Sequence, residues 1–309
     1  MTLTLKQKVP YAGGRSKSKK DFVAGLLFVL PAVLGFLLFV LGPMVASLAF
    51  SFTDYTVFNV PSFVGLQNYA ELFSGRDPFF YKSLSVTFTY VVLGVPTAIA
   101  FSFLLALLLN VEFRGASAFK AIFYAPSIVP VVASSMVWLW LFNPDMGLVN
   151  QLLSAAGLPT SMWFFSEPSV IPTLVVTGLW TVGGTMIIFL AGLKGIPDHY
   201  YEAIEVDGGN AIHKFFAITL PLMTPTIFFN TVMGLIGAMQ TFTQAYIITQ
   251  GGPNNASLFY VYYLWREAFG NARMGYASAI AWVLFVIVVL MTFVLFKSSK
   301  LWVYYEGEK

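Results

Sequence analysis

Residues 274–296 read MGYASAIAWVLFVIVVLMTFVLF, and no charged side chain interrupts them. A helix rises about 1.5 Å per residue, so about 20 apolar residues cross the roughly 30 Å hydrocarbon core of a bilayer. These 23 residues are therefore long enough and apolar enough for one transmembrane helix. They predict that the chain is an integral membrane protein.

Five more charge-free intervals of sufficient length precede that stretch. The interval between Lys214 and Arg266 is too long for one span, and only its first half is continuously apolar. We therefore predict an all-α membrane protein with six transmembrane helices. The predicted spans cover about residues 23–51, 84–110, 121–142, 169–193, 216–239 and 274–296.

The composition of the 309 residues favours the same class. Charged residues make up 10% of the chain, whereas soluble globular proteins carry roughly 25%. With a mean hydropathy of +0.76, the chain has too few polar groups to be an ordinary cytosolic enzyme or a disordered scaffold. The absence of cysteine excludes disulfides, thiol nucleophiles and cysteine-ligated metals. A net charge of +3 gives no reason to expect a nucleic-acid partner.

One other charge-free segment competes with this assignment. Residues 146–166 contain Asn150, Gln151 and Pro159 among other polar and turn-forming residues, which makes the segment too polar to face lipid. We predict an interfacial connection there. If the segment did cross, the chain would have seven spans and its termini would lie on opposite sides.

The distribution of Lys and Arg orients the six spans, because cytoplasmic loops carry an excess of these residues. Thirteen lie in the two tails and in the loops between spans 2 and 3 and between spans 4 and 5, against four on the opposite face. Both termini are therefore predicted to be cytoplasmic. A basic tail (1–20) and a short C-terminal tail (301–309) flank one membrane domain (21–300), in which the first span is retained rather than cleaved.

The predicted spans contain no Asp, Glu, Lys, Arg or His. Proton relays need ionisable groups inside the membrane, so a proton-driven carrier is disfavoured, while a sodium-coupled carrier stays open. The motifs of intramembrane hydrolysis and the Walker A loop are missing as well. We predict no catalytic residue and no metal site, and any ATP hydrolysis is expected on another chain.

The loop between spans 4 and 5, residues 194–214, carries four acids and is the most specific part of the sequence. Asp198 is a candidate N-cap of a first short helix. Gly208 and Gly209 are expected to end that helix in a sharp turn, and Asn210 could cap the next one. The loop therefore predicts a helix–turn–helix unit that presents acids to the cytosol.

This loop resembles the signature of the permeases of binding-protein-dependent ABC importers. The family pattern is Glu-Ala-Ala, three residues, Gly, nine residues, Ile, one residue and Leu-Pro. The matching residues are Glu202, Ala203, Gly208, Ile218, Leu220 and Pro221. Ile204 is the single departure, because the family usually has Ala there.

Softer similarities extend over most of the chain and point to the carbohydrate-uptake branch, which contains the maltose-type and glycerol-phosphate-type permeases. They lie at residues 63–69, 138–150, 251–253 and 275–279. The resemblance implies the type I importer fold, with a permease core at about residues 83–297, in a bacterial cytoplasmic membrane.

The resemblance also implies a set of partners. They are a second, related permease, two cytosolic ATPase subunits that bind ATP and Mg, an external solute-binding lipoprotein or periplasmic protein, and the surrounding lipid. Glu202 is expected to pair with a basic group on the ATPase, with Asp207 as the second candidate. The predicted ATPase-coupling residues are Glu202, Ala203, Ile204, Glu205, Asp207, Gly208 and Gly209.

The substrate path is predicted from two sources. Positions that line the path in the maltose-type permease correspond to Ser127, Val131, Thr177, Trp180, Thr181, Gly184, Ala238 and Thr241. Composition adds Asn230, Gln240 and Gln244 as polar side chains in or near span 5. A sugar site needs aromatic faces with amide or hydroxyl partners, and helix packing is the alternative role of each residue.

We therefore predict the permease subunit of an ATP-driven sugar or oligosaccharide importer. A neutral sugar is preferred, because no cation lies inside a span to bind an anionic solute such as glycerol phosphate. An oligosaccharide derived from a plant polysaccharide is the narrower expectation. The alternatives are a glycerol-phosphate permease and a secondary carrier that works without an ATPase.

Overall fold

A computed structural model describes residues 19–111 and 113–304. The predicted tails (1–20 and 301–309) lie mostly outside these residues. The described chain is helical, and its only β-type pairing is an isolated bridge between Thr53 and Phe63. Its α-helices are α1 (Lys19–Phe36), α2 (Gly42–Phe50), α3 (Gln67–Phe73), α4 (Pro78–Leu109), α5 (Ala116–Tyr124), α6 (Val131–Leu141), α7 (Leu148–Ala155), α8 (Glu167–Gly178), α9 (Gly183–Lys194), α10 (Asp198–Val206), α11 (Ala211–Lys214), α12 (Leu220–Met239), α13 (Tyr260–Trp265) and α14 (Met274–Trp302).

Several of these helices are long and apolar enough to cross a membrane. Four continuous helices qualify, namely Phe22–Phe50, Pro78–Leu109, Ala211–Met239 and Met274–Trp302. Two bent pairs, α5 with α6 and α8 with α9, qualify if each pair counts as one span. The described chain then has six spans, which agrees with the predicted number. Between α6 and α8, in the segment 146–166, it has only the short α7 and a 3-10 turn at Trp163–Phe165.

The third predicted span, 121–142, is not one straight helix. The chain bends by 98° between Ala116–Ile128 and Val131–Leu141. Val129 has an extended ψ of 130°, because a residue that precedes proline is disfavoured in the helical region and Pro130 follows it. The break divides this region into two helices that face different parts of the bundle.

The second bent pair is explained by a close contact between backbones. The axes of Glu167–Thr181 and Gly183–Lys194 differ by 54°. A Cβ atom at Gly183 would lie 2.3 Å from the carbonyl oxygen of Phe123, so only glycine allows α9 to start against the end of α5. This contact holds the two bent pairs against each other.

The helix that contains the fifth predicted span, 216–239, begins five residues before that span. A π-helical turn, Phe215–Thr219, joins α11 to α12 without a break, so the helix runs from Ala211 to Met239. Pro221 lies in the first turn of α12 and has no N–H to donate. A π-turn shifts the hydrogen-bond register at this point, and the helix continues through the proline.

The central helix α4 packs against α8, α9, α12 and α13 and separates two clusters of buried side chains. The first core cluster surrounds the N-terminal half of α4 and includes Phe80, Leu174 and Tyr260. The second core cluster surrounds its C-terminal half and includes Phe189 and Met223. In contrast, the apolar window of Phe22–Phe50 has no buried residue, so this helix offers its surface to lipid or to another chain.

Candidate functional site

The predicted helix–turn–helix unit is present, with one change at its start. α10 begins at Asp198, and Pro197 occupies the capping position with extended backbone. Asp198 is therefore the first residue of the helix. The prediction that Asp198 is the N-cap is wrong. Asn210 does cap α11, because its Oδ1 accepts a hydrogen bond from the His213 N–H at 2.9 Å.

The turn between α10 and α11 requires glycine at residues 208 and 209. Gly208 has a φ of +77°, a conformation that favours glycine. The Gly209 N–H donates to the Ile204 carbonyl at 2.8 Å, and a Cβ atom at Gly209 would lie 2.2 Å from Ile204 Cγ2. Ile204, the departure from the family pattern, thus packs on the turn and leaves no room for a side chain at residue 209.

One face of α10 holds the unit against the membrane helices. Tyr201 and Ile204 pack against the second core cluster. Tyr201 Oη also lies 3.0 Å from Thr219 Oγ1 in the π-turn before α12. Through these contacts, a displacement of α10 would be passed directly to the beginning of the long helix Ala211–Met239.

The opposite face of α10 is exposed. Glu202, Ala203 and Asp207 are exposed to solvent, and Val206 is 87% exposed. Residues 202 and 206 are four positions apart and therefore neighbours on one helix face. An acid beside an exposed aliphatic side chain is suited to binding another protein. Sequence reasoning missed Val206, although an aliphatic residue between Glu205 and Asp207 could have indicated it.

The acids of this unit differ in their partners. Glu205 forms an ion pair with Lys214, which joins α10 to α11. Among the described residues, the carboxylates of Glu202 and Asp207 have neither an ion pair nor a hydrogen bond. The structure thus separates an internal ion pair from two acids that are free to meet a partner.

A cavity of about 600 Å³ lies between α4, the bent pair α8–α9, α12 and the segment after α12. Six of the predicted substrate-path residues line it: Val131, Thr181, Asn230, Ala238, Thr241 and Gln244. The other lining residues are Tyr90, Gly94, Val95, Ala98, Ile99, Val175, Gly178, Thr185, Ile188, Phe229, Met233, Gly234, Gly237, Phe242 and Thr243.

The cavity wall is mostly apolar with a few hydrogen-bonding groups, and it carries no charged side chain. Asn230 is only 5% exposed, and its Nδ2 donates to the Thr226 carbonyl at 2.9 Å, so its Oδ1 remains as an acceptor at the wall. Thr241 and Gln244 add hydroxyl and amide groups at the end of the cavity where α12 finishes. The wall can therefore bind a neutral polar solute.

The remaining five predicted path residues, Ser127, Thr177, Trp180, Gly184 and Gln240, do not line this cavity. Thr177 is 2% exposed and donates to the Leu174 carbonyl, and the Trp180 ring packs edge-on against Trp138 at 5.6 Å. Trp180 and Gly184 flank the bend between α8 and α9, which turns successive residues in different directions. A role for these five residues stays a prediction.

Sequence reasoning missed the contribution of α4 to the cavity. Tyr90 and Gly94 line it, although α4 is apolar around its whole circumference and periodicity gives no preferred face. In α12 a signal was present, because Gly234 and Gly237 follow Asn230 at intervals of four and three residues. That spacing places all three on one helix face.

No group of three or more His, Asp or Glu side chains within residues 19–111 and 113–304 could hold a metal ion.

The relatives found by comparison with known proteins are permeases of transport systems. A permease described as the probable ABC transporter permease protein YesP of Bacillus subtilis (strain 168) is 46% identical over 94% of this chain and 95% of its own length. The arabinooligosaccharides transport system permease protein AraP of Halalkalibacterium halodurans is 32% identical over 87% of this chain and 85% of its own. The trehalose/maltose transport system permease protein MalF of Thermococcus litoralis is 31% identical, with coverages of 89% and 93%.

A solved structure shows the same fold. It is a chain in the crystal structure of a bacterial alginate ABC transporter in complex with an alginate pentasaccharide-bound periplasmic protein. The two folds superpose with a TM-score of 0.80 at 23% identity, over 91% of this chain and 95% of that one. Residues 70–303 match the family model for the inner membrane component of binding-protein-dependent transport systems. The chain is therefore a member of this family and a permease of the ABC importer type.

Proposed function

We propose that this permease imports a neutral sugar or oligosaccharide across the bacterial cytoplasmic membrane. The observation that carries the proposal is the uncharged cavity, whose mostly apolar wall carries hydrogen-bonding groups that include Asn230, Thr241 and Gln244. Sugar hydroxyls need hydrogen-bonding partners when they leave water, and the apolar faces of sugar rings need an apolar wall. The names of the relatives from H. halodurans and T. litoralis, arabinooligosaccharide and trehalose/maltose permeases, agree with this solute class.

An anionic solute such as glycerol phosphate fits the site less well. Burying an unpaired anion is costly, and the described cavity wall offers no Lys, Arg or His to pair with it. A secondary carrier is disfavoured by membership in the binding-protein-dependent family.

The chain is proposed to work in an assembly. Its exposed α10 face would dock on one of two cytosolic ATPase subunits, which bind ATP and Mg, and Glu202 would meet a basic group there. A second, related permease would close the open side of the cavity, and an external binding protein would deliver the sugar. In this arrangement both termini are cytoplasmic. Closure of the ATPases would then move α10 and, through Tyr201 and Thr219, the start of the helix Ala211–Met239.

Co-purification followed by uptake tests this proposal. The tagged chain is solubilised from its native membrane, and its stoichiometric companions are identified by mass spectrometry. We expect an ATPase, a second permease and a binding protein. The same complex, reconstituted in vesicles, is then offered radiolabelled arabino-oligosaccharides and malto-oligosaccharides of one to six units. If the complex takes up neither series nor any monosaccharide, the carbohydrate assignment is wrong.

Glu202→Lys separates coupling from assembly. This reversal of charge should remove the ATPase from the purified complex while the second permease remains. Asp145→Lys is the matched control, because Asp145 is also exposed and lies on the face predicted to be external. Equal recovery of the ATPase with both variants would contradict the docking of α10.

A further inference from the structure

Beyond the cavity, a group of aromatic rings continues outward from the end of α12. Phe242 stacks on Tyr246 with ring centroids 5.4 Å apart and 16° between the ring planes. Tyr246 meets Trp265 edge-on at 5.0 Å, and Trp265 lies 6.1 Å from Phe269. These four residues, which we call the aromatic track, come from two separate chain segments, so their proximity is a product of the fold.

The aromatic track begins at the cavity and ends at the surface. Phe242 lines the cavity beside Thr241 and Gln244. Phe242 and Trp265 are partly buried, whereas Tyr246 is 39% exposed and Phe269, at the far end of the track, is 66% exposed. A flexible solute could therefore contact the rings one after another on its way to the cavity.

Two of the track residues, Tyr246 and Trp265, carry hydrogen-bonding atoms in their side chains. Two other aromatic side chains show the usual pairing: Trp163 Nε1 donates to Asn150 Oδ1 at 2.7 Å, and Tyr260 Oη donates to the Ile280 carbonyl at 3.0 Å. Within the described part of the chain, neither Tyr246 Oη nor Trp265 Nε1 has a hydrogen-bond partner. Since such groups usually find a partner when they are covered, they are available to a hydroxylated ligand.

We propose that Phe242, Tyr246, Trp265 and Phe269 form a stacking track for the successive rings of an oligosaccharide that enters the cavity. The inference rests on the proposed function and narrows its substrate to chains of several sugar units. The apolar faces of the sugar rings would stack on the aromatic rings, while Tyr246 Oη and Trp265 Nε1 would bind hydroxyl groups. The cavity holds the leading unit, and the track holds the units behind it.

Length dependence distinguishes this role from two others. Aromatic residues also anchor helices at the membrane interface, and they contribute to protein–protein contacts. A membrane anchor or a contact with the second permease would affect the uptake of all solutes equally. A track outside the cavity affects only solutes that are long enough to reach it.

The test uses the complete reconstituted complex and the two labelled oligosaccharide series named above. In Trp265→Ala and Tyr246→Ala, the uptake of chains of three or more units should fall about 3- to 10-fold, the range that one lost aromatic contact gives. Uptake of single sugars or of chains of two units should stay within about 2-fold of wild type. Trp265→Phe, which keeps a ring, should retain most of the uptake of long chains.

Trp282→Ala is the matched control. Trp282 pairs with Phe285 at 5.2 Å on α14, away from the cavity wall, so its removal should leave the length profile unchanged. The proposal is wrong if Trp265→Ala lowers the uptake of oligosaccharides of every length equally, or if it lowers none. A wild-type complex that carries only single sugars overturns it too. If the wild-type complex carries neither series nor any monosaccharide, the proposed function itself has failed.

Discussion

Arg273 Nη2 donates a hydrogen bond to Glu71 Oε1 at 2.6 Å, although the two residues are 202 positions apart. Arg273 Nη1 also lies 3.6 Å from Glu267 Oε2, and its guanidinium covers the Tyr276 ring at 4.0 Å. One side chain thus joins α3, the π-turn Arg266–Gly270 and the start of α14. This contact ties the loop after the first span to the start of the last span.

Removal of Arg273 is expected to destabilise the protein more than removal of Glu71. Glu71 is partly exposed, and Glu71→Gln should cost less than about 1 kcal/mol. Arg273→Met leaves Glu267, whose side chain is only 6% exposed, with Asn271 as its remaining partner, and should cost about 2 kcal/mol. Thermal unfolding of the purified chain in detergent measures both costs. Equal shifts in Tm for the two variants would show that Arg273 does not stabilise the fold through its contact with Glu267.

Asp77 is expected to make stability depend on pH. Burial raises the pKa of its carboxyl group, but hydrogen bonds from Tyr263, Tyr276 and the Phe79 N–H outweigh this and hold the pKa below its usual value. A lowered pKa in the folded state stabilises the protein above the unfolded value of about 4, and this contribution is lost as pH falls through the folded pKa. Asp77→Asn should therefore lower Tm at pH 7, and the difference from wild type should shrink below about pH 4.

The exposed Asp145 serves as the control for that measurement. Asp145→Asn should leave Tm close to wild type at each pH, because the Asp145 carboxylate accepts no hydrogen bond from the described residues. If Asp77→Asn shifts Tm by the same amount at pH 7 and pH 3.5, the carboxylate is not the source of the effect.

Gly275 fixes the distance between the start of α14 and the loop after α2. A Cβ atom there would lie 2.1 Å from the Thr53 carbonyl oxygen, and the Gly275 N–H donates to the Tyr55 carbonyl at 2.9 Å. Gly275→Ala forces these backbones apart and should cost about 1–3 kcal/mol. Gly35→Ala is the control, since nothing lies within 4 Å of its Cβ position. A Tm for Gly275→Ala equal to that of the control would mean that the loop moves without cost.

Much of this fold follows from where charges are missing in the sequence. The charge-free stretch 274–296 lies within α14, and the helix Pro78–Leu109 contains all but the last residue of the predicted span 84–110. The signature around Glu202 identified the family. Gly208 lies in the predicted turn, and Asn210 forms the predicted N-cap of α11. These features are local, because each depends on neighbours a few residues away.

The remaining features depend on contacts between distant segments. Pro130 accounts for the extended backbone at Val129, but the 98° angle depends on what α5 and α6 pack against. The pairing of Arg273 with Glu71 and the meeting of Tyr246 with Trp265 have no signal in a single sequence. Of the eight positions taken from a relative, four line the cavity. They do not include Tyr90 or Gly94 of α4, because that helix is apolar on all sides.

Val206 should be as important for coupling as Glu202. It is exposed on the same face of α10, one turn further along, and covering its aliphatic side chain with a partner would remove apolar surface from water. Val206→Asp places a charge where an apolar contact is expected and should reduce the ATPase recovered with the permease by at least about 10-fold. Val60→Asp is the control, because Val60 is 89% exposed in the loop between α2 and α3, on the face predicted to be external. Quantitative mass spectrometry of the purified complexes gives the ratio of ATPase to permease. Normal recovery with Val206→Asp would confine the coupling contact to Glu202 and the turn at Gly208.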